Sequence, residues 1–287
     1  MTESPTEVLY EDRNLHKGHR YIKKGNTLLP CPSSVDPLSL EAGQELIHVL
    51  DKQMGRIVIE WDASWVTKAG FGVRSAEAEA MRLVSKNTEV PVPEVLFTDF
   101  RVDCDDYYSR DTLQEKWDSL DDEAKESTCV QLWDLISKIR NIARPQELEG
   151  PYQCAADGSP SRDPMLEDLQ KPVRPLTSDM ELRARIYERY LHCGGSRYKD
   201  RLLDMLPRSE RSVFTHADIA PRNVMVDEHN MVTGILDWES AGWYPDYWEY
   251  AQIMRPAFWG DWSVWMEKTA PQRWDLEGIN ASRKVLF

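Results

Sequence analysis

Three polar residues have the types and spacing that metal-assisted chemistry requires: Asp218, Asn223 and Asp237. Residues 224–226 and 231–236 are β-rich apolar runs, and the tetrapeptide Asp-Glu-His-Asn between them has the composition of a turn. An antiparallel hairpin closed at this turn pairs residue i with about 457 − i, so Asn223 faces a position near 234 and Asp237 lies at the open end. An amide oxygen and a carboxylate are hard ligands suited to Mg²⁺, and Asp218 lies on the loop that enters the hairpin.

The spacing of these residues is the H-x-D-x-x-x-x-N pattern with a later metal-binding aspartate, as in protein-kinase-type phosphoryl transfer. The segments His216-Ala-Asp-Ile-Ala-Pro-Arg-Asn223 and Gly234-Ile-Leu-Asp-Trp-Glu-Ser-Ala-Gly-Trp-Tyr-Pro-Asp-Tyr-Trp-Glu-Tyr250 resemble the aminoglycoside phosphotransferase/choline kinase family, and its fungal members in particular. A chance match in an ordinary hairpin is the alternative, and the second block at the expected distance argues against it.

The resemblance implies an α+β, two-lobed protein-kinase-like fold, with a small antiparallel N-lobe sheet carrying one helix and a mostly helical C-lobe. It implies ATP as phosphate donor, Asp218 as base, and Asn223 and Asp237 as Mg²⁺ ligands. The resemblance also implies that His216 supports the loop that carries Asp218. Arg222 either balances charge on the transferred phosphate or forms a salt bridge to nearby acids.

A lysine and a glutamate in the first third of the chain fit the same scheme. Residues 56–61 and 64–68 read as two strands, and Ser75 caps a helix over 76–86. Glu77, Met81 and Val84 share one face of that helix, which directs Glu77 inward beside Lys68. Such a pair grips the α- and β-phosphates of the nucleotide in kinases, so Lys68 and Glu77 are predicted cofactor-binding residues. Glu79 is the alternative partner.

The domain division follows from these assignments. Residues 1–44 are polar and read as an extended arm, residues 45–108 as a shortened N-lobe and residues 109–287 as the C-lobe, with a short helix possible over 40–50. Residues 96–110 depart from the family pattern: Ser109-Arg110 replaces the usual Pro-Gly of the linker that binds adenine, and the preceding strand, Val102–Asp106, is acidic.

This departure keeps three functional hypotheses open. The first is an ATP- and Mg²⁺-dependent small-molecule O-phosphotransferase. The second is a repurposed enzyme of secondary metabolism that uses Asp218 for ATP-independent acid/base chemistry, and the third is a non-catalytic kinase-like binding protein. The presence of Asp218, Asn223 and Asp237 together argues against the third hypothesis.

The rest of the C-lobe is predicted to be scaffold. Asp121 or Asp122 is predicted to cap a helix over 123–143, and Ser178 or Asp179 a helix that runs to His192. Further helices are expected over 198–206 and over 247–254, with a long irregular loop from 145 to 175. Seven of the 11 tryptophans lie between residues 238 and 274. They read either as packing of the terminal helices or as an aromatic wall against a substrate.

Bulk composition narrows the class of partner. A net charge of −14 argues against nucleic acid and fits a cationic or neutral small molecule, or simply solubility. Five cysteines without a C-x-x-C pair indicate reduced thiols. The first residues lack the apolar core of a signal peptide, and no apolar run reaches ~18 residues. We therefore expect a cytoplasmic protein with a small-molecule substrate and no nucleic-acid or membrane partner, in an oligomeric state the sequence leaves open.

Overall fold

The structure, a computed structural model, describes residues 15–25, 27–31, 40–53, 56–62, 65–70, 72–98, 105–106, 112–256 and 260–287. The chain divides into two compact units. Residues 1–82 and 93–110 form the first unit, and residues 83–92 and 111–287 form the second. A sheet-rich first part and a helix-rich second part confirm the α+β class expected from the sequence.

The first unit is built on an antiparallel sheet with the order β2-β1-β3-β4-β5-β6. Its strands are β1 (Arg20–Lys24), β2 (Thr27–Pro30), β3 (Gln44–Gln53), β4 (Arg56–Trp61), β5 (Trp65–Ala69) and β6 (Asp105–Asp106). One face buries a cluster made of Leu15, Tyr21, Ile47, Val49, Ile57, Ile59, Trp61 and Ala69. The alternation of buried and partly buried residues along β4 is the period-2 pattern of a half-buried strand.

The predicted arm over 1–44 is wrong where the structure describes it, because β1 and β2 belong to the sheet. The polar composition of β1 misleads because its charges are neutralised across the strands: Lys23 Nζ lies 2.7 Å from Glu45 Oε2 on β3. The short helix suggested over 40–50 is also wrong. Residues 44–53 form the strand β3, which pairs with β1 on one side and β4 on the other. Short apolar runs do not distinguish a helix from a strand, and the pairing decides.

The elements around Lys68 form as predicted. Strand β5 follows β4 in antiparallel register, and the helix Ser75–Asn87 comes next. Glu77, Met81 and Val84 are all fully buried, as their shared helix face requires. Strand β6 lies at the edge of the sheet, where acidic residues are tolerated. The remainder of the predicted linker, residues 107–111, lies outside the described residues.

Helices dominate the second unit. They are Leu113–Lys116, Asp122–Arg140, Asp179–His192, Leu202–Met205, Trp248–Ile253, Trp262–Thr269 and Glu277–Leu286. Two of the predicted caps are present: the side chain of Asp121 accepts from Ala124 N, and that of Ser178 accepts from Glu181 N. Both satisfy backbone donors that a helix N-terminus leaves unpaired.

The tryptophan-rich segment of the second unit mainly packs. Among the described residues between 238 and 274, the buried tryptophans are Trp238, Trp243, Trp248 and Trp262. Trp262 meets Trp117 edge-on, and Trp133 Nε1 donates to the carbonyl of Met266, so the helix Trp262–Thr269 packs against the helix Asp122–Arg140 and the segment before it. Trp262 also lines a cavity described below.

Two small sheets carry the segments that contain the candidate site residues. Strands β7 (Cys154–Ala155), β11 (Gly242–Pro245) and β8 (Ser212–Thr215) form a sheet with β11 in the centre, and β9 (Val224–Val226) pairs with β10 (Val232–Ile235) as a hairpin. Strand β11 was not predicted. The hairpin register differs from the prediction, since an irregularity between Val232 and Gly234 shifts the pairing to Gly234 with Met225. Bulges of this kind cannot be read from alternation alone.

No helix among the described residues is long and apolar enough to cross a bilayer.

Gly242 is required by the close approach of β11 to β7. A Cβ at this position would lie 2.8 Å from Ala155 Cα and still closer to the carbonyl oxygen of Cys154. We therefore expect Gly242→Ala to lower the free energy of unfolding by about 1–3 kcal/mol, as overpacking does. Urea denaturation followed by tryptophan fluorescence measures this change. Gln272→Ala, at an exposed position, is the control, and equal stabilities of the two variants would contradict the prediction.

Candidate active site

Asp218 and Asn223 are joined within one loop. The loop runs from the end of β8 into a 3₁₀ turn, Pro221–Asn223, and we call it the 216–223 loop. Asn223 Nδ2 donates to the backbone carbonyl of Asp218 at 2.8 Å and to its carboxylate Oδ2 at 2.9 Å. Because both amide hydrogens point toward Asp218, the amide oxygen of Asn223 is directed away from it. The side chain of Asp218 is 15% exposed, which leaves its carboxylate accessible.

Two arginines hold the carboxylate of Asp218. Arg222 pairs with Oδ2, and Arg255 donates to Oδ1 at 2.5 Å. Of the two readings that the sequence left for Arg222, the structure shows the salt bridge. Arg255 was not identified from the sequence, because it follows the helix Trp248–Ile253 and lies 37 residues from Asp218. No signal short of the tertiary structure connects the two positions.

His216 links the loop to the hairpin. Its Nδ1 accepts a hydrogen bond from Asp218 N at 3.1 Å, and its Nε2 donates to the carbonyl of Leu236 at 2.9 Å. These two partners fix the neutral tautomer with the proton on Nε2. The ring also meets Trp238 edge-on, with centroids 4.5 Å apart. His216 therefore positions the residues on either side rather than facing solvent, since it is fully buried.

Glu249 is a buried anchor that the sequence analysis did not single out, although it lies in the quoted Tyr-Trp-Glu-Tyr block. Its carboxylate accepts hydrogen bonds from His216 N at 2.7 Å and from Ala217 N at 3.1 Å. Ala217 has a φ of 66°, in the left-handed region that disfavours residues other than glycine. Burial raises the pKa of Glu249, and the backbone N–H groups of His216 and Ala217, which donate to its carboxylate, oppose that rise.

Asp237 follows Leu236, the residue at the open end of the hairpin that hydrogen-bonds to Asn223. Leu236 N donates to the carbonyl of Asn223 at 2.8 Å, so the shifted register brings position 237 next to Asn223. Asp237 also has a left-handed backbone, with a φ of 61°. A carboxylate oxygen of Glu239, which was not predicted, lies within 4.8 Å of one from Asp237. Two carboxylates and an amide oxygen form a donor set that fits Mg²⁺.

Lys68 and Glu77 form a buried ion pair in the first unit. Lys68 Nζ lies 2.7 Å from each carboxylate oxygen of Glu77, and the two side chains are 4% and 0% exposed. The helix phase read from the sequence selected the correct glutamate. Glu79, the alternative, is exposed and pairs with Arg82 at 2.8 Å.

A cavity of about 230 Å³ lies beside the two arginines of the second unit. Its described lining comprises Ile219, Ala220, Arg222, Gln252, Ile253, Arg255, Pro256 and Trp262. The wall is therefore apolar except for Gln252 and the two guanidinium groups that hold Asp218. An acceptor bound here would meet positive charge next to the candidate base.

Comparisons with known proteins identify the family and the fold. Residues 72–274 match the family model described as the phosphotransferase enzyme family. Among solved structures, a thermostable mutant of aminoglycoside phosphotransferase APH(4)-Ia bound to ADP and hygromycin B is 15% identical, with a TM-score of 0.55 over 84% of this chain and 83% of that one. The gentamicin complex of APH(2")-IIa is 13% identical, with a TM-score of 0.54 over 83% and 80%.

A macrolide 2'-phosphotransferase type I is 15% identical, with a TM-score of 0.51 over 83% of each chain. No curated protein sequence matches the chain significantly. At such identities the similarity establishes the fold, and the kinase-like α+β architecture implied by the sequence is confirmed. The identity of any substrate has to be argued from the residues themselves.

The anchoring carboxylate predicts a pH dependence of stability. Because burial raises the pKa of Glu249 above its ordinary 4.5, the folded state binds that proton more tightly than the unfolded state. This contribution to stability is present below pH 4.5 and is lost as the pH rises through the folded-state pKa. The free energy of unfolding of the wild type minus that of Glu249→Gln should therefore fall as the pH rises above 4.5.

Urea denaturation of both proteins across this pH range measures the difference. Glu228→Gln, at an exposed position, supplies the control and should show no such trend. A difference that stays constant or grows with pH would show that Glu249 does not titrate as a buried carboxylate.

The buried Lys68–Glu77 pair and the exposed Glu79–Arg82 pair should contribute unequally to the free energy of unfolding. Glu77→Gln removes the carboxylate that Lys68 Nζ contacts at 2.7 Å, so we expect a loss of about 3–5 kcal/mol of unfolding free energy. Glu79→Gln on the same helix removes an exposed pair and should cost at most about 1 kcal/mol. Chemical denaturation compares the two variants. Equal losses would mean that Lys68 finds water or another partner.

Proposed function

The chain belongs to the phosphotransferase enzyme family, and from this premise we propose that it transfers the γ-phosphate of ATP to a hydroxyl group of a small molecule. The observation that carries the proposal is the hydrogen-bonded pair of Asp218 and Asn223 on one loop, with Asp237 held next to Asn223 by the hairpin. A base and a metal-binding amide in contact are the arrangement that phosphoryl transfer to a hydroxyl requires. The relative bound to ADP supports ATP as donor.

Asp218 acts as the base in this proposal. Its carboxylate orients the acceptor hydroxyl and receives the proton as the new oxygen–phosphorus bond forms. The bond between the γ-phosphorus and the bridging oxygen breaks, and its electron pair leaves with ADP. Proton transfer to a positioned base contributes about 10²–10⁴ to the rate. His216 and Glu249 take no part in the bond changes and hold the backbone at Asp218 and at the two residues before it.

Asn223 and Asp237 hold Mg²⁺, with Glu239 adding negative charge beside them. When bound, Mg²⁺ neutralises the phosphate oxygens of the nucleotide and orients them. The residues of the chain fit this role because the amide hydrogens of Asn223 are used on Asp218, which leaves its oxygen for the metal. Asp237 contributes a carboxylate on backbone fixed by the hairpin.

Lys68 contacts the nucleotide phosphates in this proposal, and Glu77 positions it. The bidentate contact at 2.7 Å to each oxygen fixes the ammonium group and neutralises it in the absence of nucleotide. A lysine held this way loses little conformational freedom when phosphate binds, so more of the interaction energy appears as affinity.

The proposal predicts binding of Mg·ATP and dependence on Asp218. Millimolar Mg·ATP should raise the apparent melting temperature by mass action, and Asn223→Ala or Asp237→Asn should reduce that shift. Asp218→Asn should retain the shift but lower ATP-dependent transfer by about 10²-fold or more. Differential scanning fluorimetry and ADP release measure the two effects.

His229→Ala, at the 79%-exposed tip of the hairpin, is the matched control on the same element and should behave as the wild type. Absence of any shift with Mg·ATP would overturn phosphate transfer from ATP. If Asp218→Asn then abolished a nucleotide-independent reaction, the fold would instead serve acid/base chemistry. Transfer at the wild-type rate by Asp218→Asn would remove the carboxylate from the role of base.

A further inference from the structure

We propose that the acceptor is an organic anion, a hydroxy acid whose carboxylate is bound by Arg255 while its hydroxyl faces Asp218. This inference rests on the proposed phosphotransfer and names the substrate class for the same site. It departs from the expectation that the net charge of the chain sets, which favours cationic or neutral small molecules. The local arrangement of charge at Asp218 points the other way.

Positive charge surrounds the candidate base. Two guanidinium groups, Arg222 and Arg255, contact the single carboxylate of Asp218. A cationic acceptor placed against Asp218 would therefore be repelled by two arginines at close range, and an anionic acceptor would be attracted by them.

Hydrogen bonds hold Arg255 in a fixed orientation. Its Nε donates to the carbonyl of Gln252 at 3.2 Å, and one terminal nitrogen donates to Asp218. The side chain is nevertheless 43% exposed, so part of the planar donor fork faces solvent. A guanidinium held on two sides with an exposed edge is suited to a carboxylate, which it can bind through parallel hydrogen bonds.

Gln252, the other polar side chain named in the described lining besides the two arginines, already has hydrogen-bond partners. The amide of Gln252 donates to Asp163 Oδ2 at 2.6 Å and accepts from Arg283 at 3.3 Å, and Gln252 is only 5% exposed. It cannot serve as the principal ligand for an acceptor without breaking these bonds. Among the described lining residues, the guanidinium groups are thus the polar groups that can recognise a ligand.

The lining of the cavity favours an acceptor with an apolar body. The cavity has a volume of about 230 Å³, and apolar side chains, including Ile219, Ile253 and Trp262, form most of its described wall. An acid with an apolar or aromatic body fits this lining better than a polyamine sugar, whose amino groups would meet arginines and no carboxylate among the described lining residues.

A matched set of three acceptors tests the charge preference: 3-(hydroxymethyl)benzoate, its neutral amide and the corresponding benzylammonium. Their affinities are measured by ligand-observed NMR, and their turnover by ATP-dependent ADP release. We expect the benzoate to bind at least tenfold more tightly than the amide, as loss of a charge-assisted hydrogen bond implies, and the ammonium to bind most weakly.

Variants at position 255 assign the preference to Arg255. Arg255→Gln should reduce the benzoate-to-amide ratio toward one, Arg255→Lys should retain part of it, and Arg255→Glu should reverse it in favour of the ammonium. The ratio is taken within each variant, so a general change in stability or in nucleotide binding cancels. Circular dichroism and thermal unfolding identify any variant that fails to fold, and Arg255→Lys then carries the test.

The outcomes separate this inference from the proposed function. Benzoate that does not bind up to about 10 mM, or that binds no better than the amide, overturns the anionic acceptor while leaving phosphotransfer standing. A ratio that is unchanged in Arg255→Gln overturns the role of Arg255. Absence of Mg·ATP binding, in contrast, removes the proposed function, whatever the charge preference of the cavity.

Discussion

A single buried carboxylate determines the geometry on which the candidate site depends. Glu249 accepts the backbone N–H groups of His216 and Ala217, and Ala217 has the left-handed conformation that lets the chain turn toward Asp218. That conformation costs roughly 1–2 kcal/mol for a residue with a side chain. A hydrogen bond to a charged group contributes about 1.5–3 kcal/mol, so the two bonds from Glu249 offset the strain. The loop is thus held from the helix Trp248–Ile253, on the far side of the hairpin in sequence.

Hydrogen bonds extend this anchoring to the candidate metal-binding residues. His216, fixed at its backbone by Glu249, uses both ring nitrogens to join Asp218 to the carbonyl of Leu236. Leu236 in turn donates its N–H to the carbonyl of Asn223. His216, Asp218, Leu236 and Asn223 are therefore connected by one chain of hydrogen bonds, and Asp237 follows Leu236 directly. Such a network favours one arrangement, because displacing a member leaves polar groups unpaired.

Local and global electrostatics differ in sign at this site. The chain carries a net charge of −14, yet the candidate base contacts two arginines. Charges separated by more than about 10 Å are largely screened at moderate ionic strength, so contacts at hydrogen-bond distance decide what binds. The buried Lys68–Glu77 pair follows the same logic in the first unit. Removing two charges from water costs free energy that their attraction only partly returns, so such a pair is better explained by the positioning of a charged group than by stability.

Much of the fold was predictable wherever the signal was local. Strand alternation placed β4 and β5, helix periodicity placed Glu77 beside Lys68, and polar caps located the helices that begin after Asp121 and Ser178. The strands β1 and β3 were missed because cross-strand partners, rather than their own composition, stabilise them. The hairpin register was off by one to two residues because a bulge depends on the surrounding packing.

The sequence by itself determined the candidate reacting groups: Asp218, Asn223 and Asp237 stand at fixed spacing on one hairpin and its entry loop, which is a short-range property of the chain. The tertiary structure alone decided their environment. Glu249 and Arg255 lie 32 and 37 residues from the loop residues that they contact, and only chain packing brings them there. The candidate reacting groups lie close together in sequence, whereas residues distant in sequence set the charge and rigidity of the site. Hydrogen bonds and ion pairs act over a few ångströms in space and carry no constraint on separation along the chain.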